Sequence, residues 1–377
     1  LPSFPTLGIL GGGQLGRMTA LAAIPMGIAV RFLVPEPSPP VDGLGTVTVA
    51  DWTDPEVLRA FASGCTAVTV ESEWAPADRL AEVAPAGVGV WPSPETLITI
   101  RDKGRQKNAL AAAGLPVPPF ARCASAEEAL AAADRLGYPV VLKRPQGSYD
   151  GYGNATARGP EDVPAAWDRL GGPEGLLVEG WVSFRRELTV IIARRPAGEE
   201  AVYPVLYTEQ RDHRCHAVVA PAGVPPAVEA EARRVGVEAV RAVGGVGVTA
   251  VELFETESGG ILVNELAPRP HNTGHLTIEA CHTSQFANHA RGVLDLPLGD
   301  PSLRVRTACM VNVLGHRDGP ARAEGYAAAL AVPGVAVHLY GKPGTRARRK
   351  MGHVTATGAD PSEVRQRAEH AASLIRL

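Results

Sequence analysis

The alternation of apolar and polar positions divides the chain into strands and helices before any motif is considered. An apolar run at 7–10 ends in glycines, helical spacing covers Gln14–Ala23, and a second apolar run follows at 28–34. Helical spacing returns near Pro55–Ala62 and leads into the apolar segment Ala67–Val70. Strands separated by helices pair in parallel, because the crossover needs the length of a helix. Residues 1–100 are therefore expected to form an N-terminal doubly wound α/β domain. A helix over 102–113 stops at Gly114, and the prolines of LPVPPF (115–120) suit an extended connection. The pattern then changes: apolar segments at 140–143, 176–179, 187–193, 202–206, 248–254 and 261–265 predict a strand-rich region with few helices, one of them over 228–243. A last segment from about 300 carries two basic clusters, and no internal repeat is visible.

Composition narrows the class. The 377 residues suffice for two or three domains, and 37 basic against 40 acidic residues leave a net charge of −3, unlike a globally basic nucleic-acid binder. With 45% hydrophobic and 20% charged residues, disorder is excluded. The five cysteines (65, 123, 215, 281 and 309) are odd in number and lack a C-x-x-C pair, so a reducing cytoplasm is expected. The apolar stretch 18–34 is broken by Pro25, Gly27 and Arg31, with no basic segment before it. Neither secretion nor membrane insertion is expected.

Three local patterns carry chemistry. Gly11-Gly12-Gly13-Gln14-Leu15-Gly16 follows a strand and opens a helix, as in G-x-G-x-x-G, and Glu36 stands 20 residues on, where a ribose-binding acid could sit. This leaves open a dinucleotide, another anion, or a tight turn. In KRPQGSYDGYGN (143–154) a lysine at a strand end precedes glycines 147, 151 and 153, a loop able to close over phosphates or to be a surface hairpin. VTAVELF and ILVNELA around a Ser258-Gly259 turn put Glu252 directly opposite Glu265, with Cβ atoms about 4.5–5.5 Å apart. Two carboxylates so placed repel, and a hard divalent cation such as Mg²⁺ relieves them; a solvated edge is the alternative. RPHNTGH (269–275), the His213/His216 pair and the basic residues Lys342, Arg346, Arg348, Arg349 and Lys350 are further candidates, the last set for a phosphate.

GILGGGQLGRM, LGYPVVLKRPQGSYDGYGN, VNELAPRPHNTGH, TSQF, HLYGK and RKMGH together resemble the ATP-grasp superfamily, and within it the N5-carboxyaminoimidazole ribonucleotide synthetase family, in that family's motif order. The resemblance implies three parts: the N-terminal domain, an ATP-grasp region over 101–300 with a lid at about 116–182, and a small C-terminal domain over 301–377. It implies that Lys103 and Lys143 meet the phosphates of ATP, that Ser148, Tyr149, Asp150, Gly151, Tyr152, Gly153 and Asn154 cover them, and that Glu179, Gly180, Trp181 and Val182 form the hinge that reads adenine. Glu187 is expected on the ribose, Gln210 and Asn264 beside ATP, and Glu252 and Glu265 on Mg²⁺. For the ribonucleotide it implies Tyr149, Asp150, His271 and Lys342 as catalytic residues, with Gln14, Glu73, Asn272, Arg349 and Lys350 in binding.

The implied reaction is ATP-dependent carboxylation of 5-aminoimidazole ribonucleotide by bicarbonate in a cytoplasmic homodimer of purine biosynthesis. The chain departs from the family pattern at Ser148, usually glycine, at Tyr152, usually basic, at Gln210, usually histidine, and at Val70, usually tyrosine. Another ATP-grasp ligase, a formate-using transformylase, and a nicotinamide oxidoreductase resting on Gly11–Gly16 alone are the alternatives.

Overall fold

The computed structural model describes residues 4–147, 152–211 and 214–377. The first unit is a five-stranded parallel sheet ordered Thr46–Val49, Ala29–Val34, Thr6–Leu10, Ala67–Val70, Gly89–Val90. The chain starts at the centre, winds outward on one side, then returns to the other side of Thr6–Leu10. That reversal opens a crevice at the carboxyl ends of Thr6–Leu10 and Ala67–Val70, where ligands of such sheets bind. Helices Pro55–Ala62 and Pro94–Arg101 begin where Asp54 and Ser93 accept hydrogen bonds from the N–H groups of Glu56 and Thr96, with proline in the first turn.

Phe120–Cys123, Leu176–Gly180, Val140–Lys143 and Asn154–Ala157 form, in that order, an antiparallel sheet covered by helices Ala126–Leu136 and Asp162–Leu170. The sequence reading missed both helices. The buried face of Ala126–Leu136 is made of Ala129, Ala132 and Ala133, packed on Val140, Leu142 and Val178. Alanines allow close approach yet give a faint apolar stripe. The stronger signal was the start: Ser125 accepts from the N–H of Glu128, and Glu128 Oε2 accepts from the N–H of Ala124.

A nine-stranded antiparallel sheet carries the rest. It runs Ile261–Ala267, Gly247–Thr256, Phe184–Arg194, Leu206–Arg211, Arg214–Ala220, Thr307–Leu314, Lys350–Gly358, Val335–Leu339, with Glu200–Val202 also on Phe184–Arg194. The strand expected over 202–206 is two strands. Pro204 between them has no N–H for a ladder, so Glu200–Val202 and Leu206–Arg211 pair separately with Phe184–Arg194. Arg214–Ala220 pairs with Thr307–Leu314, so the C-terminal segment extends the central sheet rather than standing apart from it. Helix Pro226–Ala242 covers one end and Pro361–Leu374 the other. Between the units lies helix Gln285–Val293. Its buried His289 accepts from the N–H of Val248 through Nδ1 (2.9 Å), so Nε2 carries the proton donated to Thr69 Oγ1 (3.0 Å). Burial holds this imidazole neutral, pushing its pKa down to about 3.

Candidate active site

Glu252 pairs directly with Glu265, but not by the expected turn. The hairpin closes with the N–H of Thr256 on the carbonyl of Gly260, around a three-residue loop, 257–259, in which Gly259 takes the left-handed conformation at φ 83°. That loop shifts the register by one, giving Leu253 opposite Val263. A bulge at Asn264 shifts it back. The bulged residue is also the one whose amide reaches Glu252, Nδ2 to Oε2 at 3.4 Å. Burial, then the charges of Glu265 and Glu187, raise the pKa of Glu252. Glu265 moves the other way: burial opposes ionisation, but the Lys103 ammonium, in direct ion pair with it, overcomes that and holds it ionised. The pair thus carries one compensated and one uncompensated carboxylate, a donor set that fits a hard divalent cation.

Beside this pair, two lysines converge on one carboxylate. Lys143 ends strand Val140–Lys143 and meets Glu179 Oε2 at 2.9 Å; Lys107 meets Glu179 Oε1 at 3.4 Å. Lys107 lies one turn beyond Lys103 on helix Lys103–Ala112, and the sequence reading missed it. Its spacing of four from Lys103 was the available signal, since that places both on one helix face. Burial, with repulsion from Lys143 and Lys103, pushes Lys107 down to about 8 despite Glu179. Three ammonium groups beside two opposed carboxylates form a surface suited to a polyphosphate with its cation. Glu187 shares a small pocket with Glu252 and Asn264. Gln210 lies two residues beyond Thr208, the partner of Glu187.

Glu179 is turned into the cleft as the lysines' counterion, and the N–H groups of Gly180 and Trp181 already donate to Pro119 (2.8 Å) and Pro139 (3.2 Å). Val182 is half-buried and Trp181 exposed. Of the covering loop, Ser148, Tyr149, Asp150 and Gly151 lie outside the described residues, as does His213. Tyr152 is exposed with the Arg144 guanidinium over its ring at 6.0 Å; Gly153 accepts from the N–H of Arg144, and Asn154 pairs with Lys143.

RPHNTGH closes the other wall. Arg269 makes a two-pronged contact with Glu73 (2.7 and 3.3 Å), joining this loop to the N-terminal unit. Burial opposes ionisation of Glu73, and Arg269 overcomes it. His271 Nε2 lies 3.6 Å from Glu252 Oε1, with Nδ1 at 2.9 Å from Thr273 Oγ1. Burial, Arg269 and Lys350 push its pKa down to about 3, so the imidazole is neutral. Asn272 exchanges two 2.8 Å hydrogen bonds with Asn312. Lys342 donates to the carbonyl of Lys350 (2.8 Å), and burial with Arg349 pushes it down to about 8. Arg349 reaches the Gly344 carbonyl at 2.8 Å.

The glycine loop has a different tenant from the one its motif suggests. Glu71, at the end of the neighbouring strand, accepts from the N–H of Gly16 at 2.9 Å and is also bonded by the N–H of Gly13. A Cβ on Gly13 would lie 2.4 Å from Glu71 Oε1, and one on Gly11 2.4 Å from Glu71 Cγ. The glycines make room for the protein's own carboxylate, which occupies the anion-binding end of helix Gln14–Ala23. Glu36 is exposed, and Gln14 opens the helix half-buried. A dinucleotide pyrophosphate has no vacancy here. The expected result is a thermal shift with MgATP and none with NAD or NADP; a shift with a dinucleotide alone overturns this reading.

Glu279, His338 and His353 form a further cluster. The rings of His338 and His353 stack within 18° at 4.5 Å, so their in-plane lone pairs run side by side rather than converging on a cation. All five cysteines are buried, and none is in a disulfide.

Comparison with known proteins agrees with this geometry. Residues 4–101 match the ribonucleotide synthetase preATP-grasp domain, 108–286 the ATP-grasp domain, and 308–367 the phosphoribosylaminoimidazole carboxylase C-terminal domain. The N5-carboxyaminoimidazole ribonucleotide synthase of Mycobacterium bovis is 41% identical over 374 residues, covering 98% of this chain and 87% of that one. Among solved structures, the Thermotoga maritima synthetase superposes with a TM-score of 0.88 at 37% identity, covering 99% of both chains. The Aspergillus clavatus synthase in complex with ADP and 5-aminoimidazole ribonucleotide gives 0.88 at 33%, covering 99% of this chain and 98% of that one. The chain belongs to the N5-carboxyaminoimidazole ribonucleotide synthase family of ATP-grasp enzymes.

Proposed function

We infer that this chain carboxylates 5-aminoimidazole ribonucleotide with ATP and bicarbonate, releasing ADP and phosphate. The observation that carries it is the single cleft in which the Glu252–Glu265 pair has a lysine group on one side and His271 with the basic cluster on the other. Lys103, Lys107 and Lys143 hold the triphosphate, Glu187 the ribose and the segment 179–182 the base, under the loop 148–154. Glu252 and Glu265, with Asn264 beside them, would hold Mg²⁺, which would supply positive charge against the phosphates.

A bicarbonate oxygen attacks the γ-phosphorus and ADP leaves, giving carboxyphosphate. The exocyclic amine then attacks the carboxyl carbon, or CO₂ released from it, and phosphate departs. His271, held neutral, orients the amine by hydrogen bonding. An imidazole with so low a pKa is a poor base, so the proton lost from nitrogen goes to the departing phosphate. Tyr149, Asp150 and Lys342 complete the catalytic set, while Gln14, Glu73, Asn272, Arg349 and Lys350 bind the ribonucleotide. Positioning and charge neutralisation supply most of the rate. The division at residues 100 and 300 belongs to this reading, supported by the sheet boundaries at the first of them.

Five buried cysteines outside any disulfide support a reducing cytoplasm, and no helix of the described residues is long and apolar enough to cross a membrane. Exposed Leu21, Ile24 and Met26 on one end of the N-terminal unit support a homodimer.

Neutralising Arg349 and Lys350 tests the ribonucleotide side. A charge-assisted hydrogen bond to phosphate is worth about 1.5–3 kcal/mol, so the KM for the ribonucleotide should rise roughly 10- to 100-fold per contact. The KM for ATP should stay within a few-fold. Equal rises in both constants would place the cluster on the ATP side.

A further inference from the structure

We propose that Gln285 is a positioning residue for His271, an inference that rests on the functional reading above. Gln285 is fully buried at the first turn of helix Gln285–Val293. Its amide grips the His271 peptide from both sides: Oε1 accepts from the His271 N–H at 3.0 Å, and Nε2 donates to the His271 carbonyl at 2.7 Å. The same Nε2 lies 3.2 Å from His275 Nδ1. Only a side-chain amide offers a donor and an acceptor in this fork, so no apolar or purely acidic residue can replace it.

The grip is anchored to rigid structure. The Gln285 N–H donates to Thr277 Oγ1 (2.9 Å), whose hydroxyl donates to the Gly274 carbonyl (2.6 Å). One turn along the helix, His289 ties to Val248 of the carboxylate-bearing strand and to Thr69 of the N-terminal sheet. Gln285 therefore sets the height of the His271 imidazole relative to Glu252 from a helix fixed to both sheets. It also accounts for a residue of the motif. A Cβ on Gly274 would lie 2.3 Å from Gln285 Oε1, 2.5 Å from Cδ and 2.8 Å from Nε2, and the three nearest atoms all belong to that amide. Residue 274 is glycine because the amide fills the space.

Two variants test this. Gln285→Met removes the fork at similar volume; Gly274→Ala leaves Gln285 in the chain and displaces only its amide. A misplacement of about 1 Å at a reacting group costs ~10²-fold. For both variants the expected result is a 10- to 100-fold fall in kcat for ribonucleotide carboxylation. The KM for ATP should stay within twofold and the product formed per ADP should fall, as carboxyphosphate is made but poorly captured. A purely structural role would lower ADP release and product together, in proportion to the folded fraction, leaving that ratio unchanged. Folded variants with parental ratio and kcat overturn the proposal, and Gly274→Ala decides if Gln285→Met does not fold. Absence of carboxylated product from the parent would instead count against the functional reading.

Discussion

Glu252→Gln and Glu265→Gln should each reduce Mg²⁺-dependent ADP release by orders of magnitude, yet move the stability of the metal-free protein in opposite directions. Glu252 is the uncompensated member of the pair, so an uncharged isostere removes repulsion and leaves the melting temperature level or higher. Glu265 is the counterion of Lys103, and its loss leaves a poorly solvated ammonium unpaired, so that variant should melt earlier. The pH dependence follows from the same asymmetry. Burial and the facing Glu265 raise the folded pKa of Glu252. Its contribution to stability is therefore present below its unfolded pKa of about 4.3 and is lost as pH rises through the folded value. The melting-temperature advantage of Glu252→Gln over the parent should widen between pH 5 and pH 8 and disappear with Mg²⁺, which relieves only the parent. Early melting of Glu252→Gln with parental turnover would show that these carboxylates hold no metal.

Lys143→Ala should lose most ATP turnover while remaining folded. The side chain lies at a strand end, and Glu179, its partner, keeps Lys107 after the substitution. No buried carboxylate is stranded, so the loss falls on the triphosphate rather than on the fold. Lys107→Ala should behave differently: this lysine is almost wholly buried, and its removal leaves a cavity as well as a missing charge. ADP release by a folded Lys143→Ala variant at the parental rate would remove Lys143 from the phosphate site.

Three strands of the N-terminal sheet were legible because Thr6–Leu10, Ala29–Val34 and Ala67–Val70 are short, mostly apolar runs; Thr46–Val49 alternates threonine with valine and Gly89–Val90 is two residues long, so neither stood out. The Glu252–Glu265 juxtaposition was legible for a partly accidental reason. The loop is a residue longer than the Ser258-Gly259 turn supposed, and the Asn264 bulge shifts the register back. Neither leaves a local signature, since Asn264 is bulged by its position over Glu252 and the carbonyl it offers to Lys107. Glu71 could not be read because its role is set by two strand ends meeting across a parallel sheet: the glycine motif records that something approaches the backbone, not what. Gln285 was in view inside TSQF, but its partner peptide is 14 residues away in a loop whose path only the folded chain fixes.

Coupling of ATP cleavage to carboxylation of 5-aminoimidazole ribonucleotide in this cleft is directly measurable. The most direct measurement follows ADP and carbon-labelled product together in mixtures from which ATP, bicarbonate or the ribonucleotide is omitted in turn. The expected result is ADP and carboxylated product in equal amounts in the complete mixture, and no product when any one is missing. Product formed without ATP, or rapid ADP release that never yields labelled product in the complete mixture, would contradict it.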